Sequence, residues 1–259
     1  MKNKYRRRRI TWISIFVAGF TFLVILNPAA WEKVYFSDVI DGIRGLFSSE
    51  AKADEPEAIP SSGTVDENAP LATEVLAKIE VKGRAPKTGY SRDQFYDTWP
   101  SENGCNLRQR ILKRDFGETA VLASDNCTVI SGSFNEPYTG EFMSFADKTA
   151  ISKGIQIDHI VALSDAWQKG AQYKTKEERF AIATDPLNLV AADASANMQK
   201  SDGDAATWLP KNRSFRCQYV ARQISVKYKY GLWVSDSEKD AMNRILSNCP
   251  EERAVGVSL

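Results

Sequence analysis

Ile10 to Leu26 is a run of 17 residues without one charged side chain, and Lys2, Lys4 and Arg6 to Arg9 stand directly before it. A basic block followed by an apolar run is the pattern of a membrane-targeting segment with its charged end held on the cytoplasmic side. As a helix the run spans roughly 25 Å at about 1.5 Å per residue, just short of a bilayer's hydrocarbon core. Asn27 to Trp31 extends it, with Trp31 at the interface. We read residues 10–30 as an uncleaved membrane anchor. A cleaved signal is the rival, but Pro28 spoils a small-x-small site in "NPAAW", and "AKA" at 51–53 lies far beyond the run. An arginine run also suits twin-arginine export, yet no full motif follows. Either route delivers the remainder outside the cytoplasm, anchored or secreted, and whatever folds must fold there.

The cysteines agree with that compartment. Cys105, Cys127, Cys217 and Cys249 are even in number and contain no close C-x-x-C pair, so metal-ligand spacing is absent and zinc is not expected. Oxidising conditions favour two disulfides. Three pairings are open, and the local one, Cys105–Cys127 with Cys217–Cys249, needs the least rearrangement of the chain. With 34 Lys+Arg against 33 Asp+Glu, overall charge names no partner, while a 43% hydrophobic content suits a packed core.

Three stretches follow. Residues 1–30 are the basic tail and anchor or signal. Residues 31–70 begin with a juxtamembrane helix at Trp31, Tyr35, Val39, Ile43 and Phe47, then become a linker carrying one Lys against six acids over 48–70. Residues 71–259 are the folded domain. There, "LATEVLAKIEVKGRAP" opens with a short helix and "NLRQRILKRDF" is another; "CTVISGSF" alternates as a strand, and "EPYTGEFMSF" suggests a hairpin turning at Thr139-Gly140. "GIQIDHI" is a strand, "SDAWQKGA" a short helix, "DPLNLVAAD" a second strand and "ASANMQKSD" a brief helix. Helices over roughly 215–230 and 236–248 close the chain.

His159 is the one histidine, and Asp158 stands directly before it. An imidazole titrates near neutrality and can take a proton from water. A single histidine cannot build a multi-His zinc site, and no G-x-S-x-G elbow supports a serine nucleophile. Neighbours on a strand face opposite ways, so Asp158 and His159 would not pair directly. A twisted strand end, however, would let one hold a cation while the other faces a water beside it. A hard cation needs oxygen ligands, and the polar residues downstream are Asn188, Asn197, Lys200 and Asp202. The segment Asp202-Gly203-Asp204 is read as a turn, since no EF-hand loop follows it.

Asp158-His159-Ile160 with Asn188, Asn197, Lys200, Ser201 and Asp202 resembles the HNH endonucleases. It is also similar to the HNH domain of the large CRISPR effector nuclease. Adding "GCN…ILKRDF", "CTVISG", "EPYTGE", "IQIDHIVALSDAWQKGA", "DPLNLVAADASANMQKSDGDAATWLP" and "CQYVARQISVKYKYGLWV", the chain looks like secreted HNH-type proteins related to the C-terminal domain of GmrSD restriction enzymes, over about residues 90–250. The resemblance implies an α+β fold with a ββα-metal core surrounded by helices. It implies His159 as general base, Asp158 and Asn197 as ligands of Mg²⁺ or Mn²⁺, Asn188 as a brace for the His-bearing loop, and Lys200 as a basic residue near the phosphate.

The function expected is metal-dependent hydrolysis of DNA, with RNA possible as substrate, outside the cytoplasm and with little sequence preference. The alternative is a surface nucleic-acid-binding or DNA-uptake protein that keeps the shell without turnover; an immunity or uptake partner is not identified. A stalked surface protein without a nucleic-acid role is the third reading. Between Lys200 and Tyr230 seven Lys/Arg stand against two Asp, a candidate phosphate-facing surface, and Arg108, Arg110, Lys113 and Arg114 form a second. Trp167, Trp208 and Trp233 are read as core.

Overall fold

The structure is a computed structural model and describes residues 68–259. The anchor or signal over 1–30, and the juxtamembrane helix and linker over 31–70 apart from its last three residues, lie outside the described residues. Among the described residues, no helix is long and apolar enough to cross a membrane.

The chain enters through α1 (Ala72–Lys78), where the Glu74 carboxylate accepts the Leu71 N–H at 3.1 Å. A short hairpin of β1 (Ser101–Glu102) and β2 (Cys105–Asn106) leads into α2 (Leu107–Phe116). Asn106 caps α2 by accepting from Gln109 N at 3.0 Å. Then come β3 (Val121–Leu122), β4 (Val129–Asn135) and β5 (Phe142–Phe145), an antiparallel three-stranded sheet in that order. The expected hairpin over 136–145 is corrected: its first half is the turn itself, and β4 supplies the partner strand. The Glu136 carboxylate, fully buried, holds that turn by accepting from Tyr138 N and from Thr139 N and Oγ1.

Helix α3 (Lys148–Gly154), capped by Asp147, runs directly into β6 (Ile155–His159). Next are α4 (Leu163–Gln168) and α5 (Lys176–Thr184), the latter opened by a reciprocal Thr175/Glu178 capping box. After a single turn at Pro186–Asn188, β7 (Leu189–Asp193) pairs antiparallel with β6, Ile155 opposite Asp193 and His159 opposite Leu189. No loop separates β7 from α6 (Ala194–Lys200): Asp193 ends the strand and caps the helix, accepting from Ala196 N at 2.8 Å. Helices α7 (Arg216–Lys229) and α8 (Asp236–Leu246) complete the domain. The disulfides are Cys105–Cys127 and Cys217–Cys249, the local pairing.

Both faces of the β6–β7 pair are covered. Ile155, Ile157, Leu189 and Ala191 pack with Leu107, Ile111 and Phe116 of α2. Val190 and Ala192 face the other way, into a cluster built from α1, α7 and α8 around Leu76, Tyr219, Ile224 and Met242. A third cluster gathers Phe95, Trp167, Ile182, Leu187 and Leu232. Trp167 and Trp233 are buried, as read from the sequence; Trp208 is half-buried against the first cluster.

A two-stranded sheet leaves backbone groups unpaired along its edges, and buried ones must find partners. Here α2 and α7 supply them. Arg114 donates to the Pro186 and Leu189 carbonyls at 2.8 and 2.6 Å, Asp115 accepts from Ala191 N at 2.7 Å, and Arg222 donates to the Leu187 and Leu189 carbonyls. Arg108 donates to the Ile155 carbonyl at 3.0 Å.

Candidate functional site

Strand alternation decides the site. Gln156 and Asp158 point to the α6 side of β6, and His159 points to the opposite side. His159 is still in register with Leu189, so the alternation runs to the end of β6 and the two side chains stay on opposite faces.

On the α6 side, Asp158 is buried. Its Oδ2 accepts from Tyr138 Oη at 2.5 Å and lies 2.9 Å from Lys200 Nζ, which also donates to Oδ1 at 3.2 Å and to the His159 carbonyl at 2.7 Å. Burial, then the Asp158 charge, pushes the Tyr138 phenol well above its usual range, so it stays a donor. Asn197 and Lys200 are three apart on α6 and share its inner face. Asn197 Nδ2 donates to Gln156 Oε1 at 2.7 Å. The Lys200 side chain is 0% exposed, so its ammonium serves Asp158 and not an open phosphate site.

On the other side, His159 is 4% exposed. Its Nε2 lies 2.9 Å from the Ala183 carbonyl. A carbonyl only accepts, so Nε2 carries the proton and Nδ1 of the neutral ring keeps its lone pair. The last carbonyls of α5 have no partner within the helix, which explains why this end can hold the ring. Asn188, fully buried, uses the same helix end: Nδ2 donates to the Ile182 carbonyl at 3.0 Å, and Oδ1 accepts from Val161 N at 2.8 Å. Asn188 thus ties the turn after His159 to α5. Trp99 stacks over the imidazole at 9° with centroids 6.0 Å apart, and Tyr96 lies at 6.1 Å. Burial first, then the nearby Arg92 charge, lowers the imidazole to about 3, against the bond to Ala183.

Of the sequence-predicted residues, the fold therefore joins Asp158 with Lys200, and Asn188 with the turn beyond His159. The His159 ring makes no hydrogen bond to the side chains of Asp158, Asn188, Asn197 or Lys200. Tyr138, Gln156, Arg92, Tyr96 and Trp99 were missed. Tyr138 lay within the quoted "EPYTGE", and "SRDQFYDTW" combines a cation with aromatics, a usable signal. The two expected basic surfaces lose part of their members to internal contacts, while Lys113, Lys211 and Arg213 stay exposed. Lys200 and Lys227 are buried and Arg222 serves carbonyls; Arg108 and Arg114 also serve carbonyls, and Arg110 pairs with Glu102.

The side-chain oxygen donors on the α6 side are Asp158, Asn197 and Gln156, with Asp158 already engaged by Tyr138 and Lys200 and Gln156 by Asn197. One carboxylate with amide oxygens and retained water matches the way Mg²⁺ is held. The obstacle is Lys200: a divalent ion about 4 Å from its ammonium meets a repulsion on the order of 8 kcal/mol at an effective dielectric of 20. Holding such an ion here would require Lys200 to leave Asp158 and Asn197 to release Gln156. Lys200 also lines a cleft of ≈ 490 Å³, beside Arg84, Asp202, Trp208 and Ser235. Among the described residues, Cys217, Cys249 and Glu252 lie close enough to suggest metal ligation, but the two sulfurs are bonded to each other.

Behind that cleft lies a buried ionic cage. Lys169 Nζ is within 2.7 Å of Asp165, Asp204 and Glu238; Lys227 pairs with Asp165 and Glu238, and Arg84 with Asp165 and Asp204. Burial alone would raise the Asp204 carboxyl, but Lys169 and Arg84 outweigh it and hold it well below the usual carboxylate range.

No solved structure matches the chain. It is 35% identical over 220 residues to an uncharacterized secreted protein of Arthroderma benhamiae, covering 84% of this chain and 100% of that protein. Residues 107–245 match the family model described as GmrSD restriction endonucleases, C-terminal domain. That span holds Asp158, His159, Asn188, Asn197 and Lys200, and it is more than half of the chain. On these grounds the chain belongs to the family of the GmrSD restriction endonuclease C-terminal domain.

Proposed function

We propose that this protein is an HNH-type endonuclease that hydrolyses DNA phosphodiester bonds outside the cytoplasm, with Mg²⁺ or Mn²⁺ as cofactor. The observation that carries the reading is the antiparallel β6–β7 pair whose second strand runs directly into α6. It presents Asp158 and Asn197 on one side, and on the other an imidazole with one fixed tautomer. In this reading His159 Nδ1 would take the proton from the attacking water, which requires the cover of Trp99 and Tyr96 to open and the phosphodiester to reach around the end of β6 from the Asp158 side. Ala183 holds the opposite nitrogen, and Asn188 fixes the turn, so the ring cannot rotate away from its task. Burial is the main cause of the ring's low basicity and Arg92 the second; an anionic phosphodiester beside Arg92 would offset the second alone. Asp158 and Asn197 would hold the divalent ion, which neutralises phosphate charge and stabilises the departing oxygen. A relative named as secreted, together with two disulfides, supports action outside the cytoplasm; residues 10–30 would serve as anchor.

The test is nicking of supercoiled plasmid by the full chain with Mg²⁺, with chelator, and by His159→Ala. Loss of a general base costs about 10²–10⁴-fold. Unchanged nicking by His159→Ala removes the assignment. One observation favours the second reading, a nucleic-acid-binding shell without turnover: the ring is covered by Trp99 and Tyr96 while Lys200 neutralises Asp158. DNA binding with no nicking under any metal selects it.

A further inference from the structure

We infer that Arg92 is the phosphate-binding residue of this site, placed over His159 by a segment outside the span shared with the family model. Its guanidinium lies 5.2 Å from the Tyr96 ring centroid, and the Tyr96 ring lies 6.1 Å from the imidazole, so one aromatic ring separates the cation from the candidate base.

Arg92 differs from the other arginines named above. Arg108, Arg114 and Arg222 serve backbone carbonyls around the β6–β7 pair, and Arg84 and Arg110 pair with carboxylates. Arg92 is exposed and, among the described residues, pairs with no carboxylate. Its contacts are to Tyr96 Oη, from Nε at 3.1 Å and from one terminal nitrogen. A guanidinium has five N–H donors in a planar fork. Two directed at one phenol leave the rest for an anion with two accepting oxygens, such as a phosphodiester.

The position is also built. Phe95 is fully buried, Arg179 Nε donates to the Gln94 carbonyl at 2.8 Å, and Trp167 Nε1 donates to the Thr88 carbonyl at 3.3 Å. The segment from Thr88 to Trp99 is therefore clamped to the core on both sides of Arg92. Trp99 then lies parallel to the imidazole. An anion held at this fork would lie on the far side of the Tyr96 ring from His159.

This rests on the nuclease reading only for its chemistry; the phosphate contact is measurable without cleavage. Binding of the full chain to a fluorescein-labelled 16-base-pair DNA duplex in chelator is titrated across salt, for wild type, Arg92→Gln and Arg92→Lys. Arg92→Gln is expected to weaken binding about tenfold and to reduce the slope of log K against log salt by about one. Arg92→Lys keeps the slope and loses part of the affinity. Thermal melting confirms an intact fold, and Tyr96→Phe, which removes the phenol anchor alone, should weaken binding less than Arg92→Gln. Equal affinity and slope for Arg92→Gln and wild type overturn the proposal and leave nuclease activity standing. Loss in Arg92→Gln without plasmid nicking by wild type upholds the phosphate site and removes the nuclease reading. No binding by wild type at low salt overturns both.

Discussion

Lys200 Nζ lies 2.9 Å from Asp158 Oδ2, with both side chains buried, so the carboxylate most suited to hold a cation already holds one from the chain itself. The lysine ends α6, a helix that β7 starts without a loop, and it reaches back across β6 to do so.

Lys200→Met should leave Asp158 charged and uncompensated beside Tyr138. Removing one partner of a buried pair costs about 3–5 kcal/mol, measured by urea unfolding. Added Mg²⁺ should restore more stability to this variant than to wild type, because a ligand bound to the native state stabilises it. Equal metal responses in the two proteins would argue against a cation site at Asp158.

The imidazole of His159 is held near 3 in the folded, DNA-free protein and has its ordinary value of 6.5 when unfolded. Between those values the unfolded chain binds a proton that the folded chain does not. Stability from this group is complete above about pH 6.5 and falls as pH drops toward 3. His159→Phe should flatten that dependence. Since the chain has one histidine, a single imidazole NMR signal that does not titrate from pH 8 to 5 is expected; a midpoint above 6 contradicts the burial argument.

Lys169 touches three carboxylates with nothing exposed to solvent. Lys169→Met should therefore cost about 3–5 kcal/mol. Lys82→Met, which breaks an exposed pair with Glu80, should cost at most about 1 kcal/mol. Comparable losses in denaturant midpoint for the two variants would mean that burial does not govern these pairs.

Cys105–Cys127 and Cys217–Cys249 close loops of 22 and 32 residues. Loop entropy gives each about 3–4 kcal/mol. Cys105→Ser with Cys127→Ser should lower the unfolding free energy by that order. A loss below about 1 kcal/mol would point to a compact unfolded chain near α2.

Much of the frame was legible along the chain. Alternation in "IQIDHI", the run "DPLNLVAAD" and the polar helix after it mark strand, strand and helix, because each element's period is local. The smallest loops also favoured the observed disulfides. Helices α3 and α5 were overlooked although local signals existed: Asp147 caps one, and Thr175 with Glu178 forms the capping box of the other.

The sequence by itself singled out candidate site residues, and by strand alternation showed that Asp158 and His159 point apart. Tertiary structure alone decided what each meets. Lys200 turns inward to Asp158, α5 lends its end carbonyls to His159 and Asn188, and a segment some sixty residues upstream covers the imidazole with Tyr96 and Trp99. The reason is physical: periodicity governs neighbours within a turn or a pleat, whereas a buried charge or an unpaired carbonyl takes whichever partner the packed chain brings within hydrogen-bond reach.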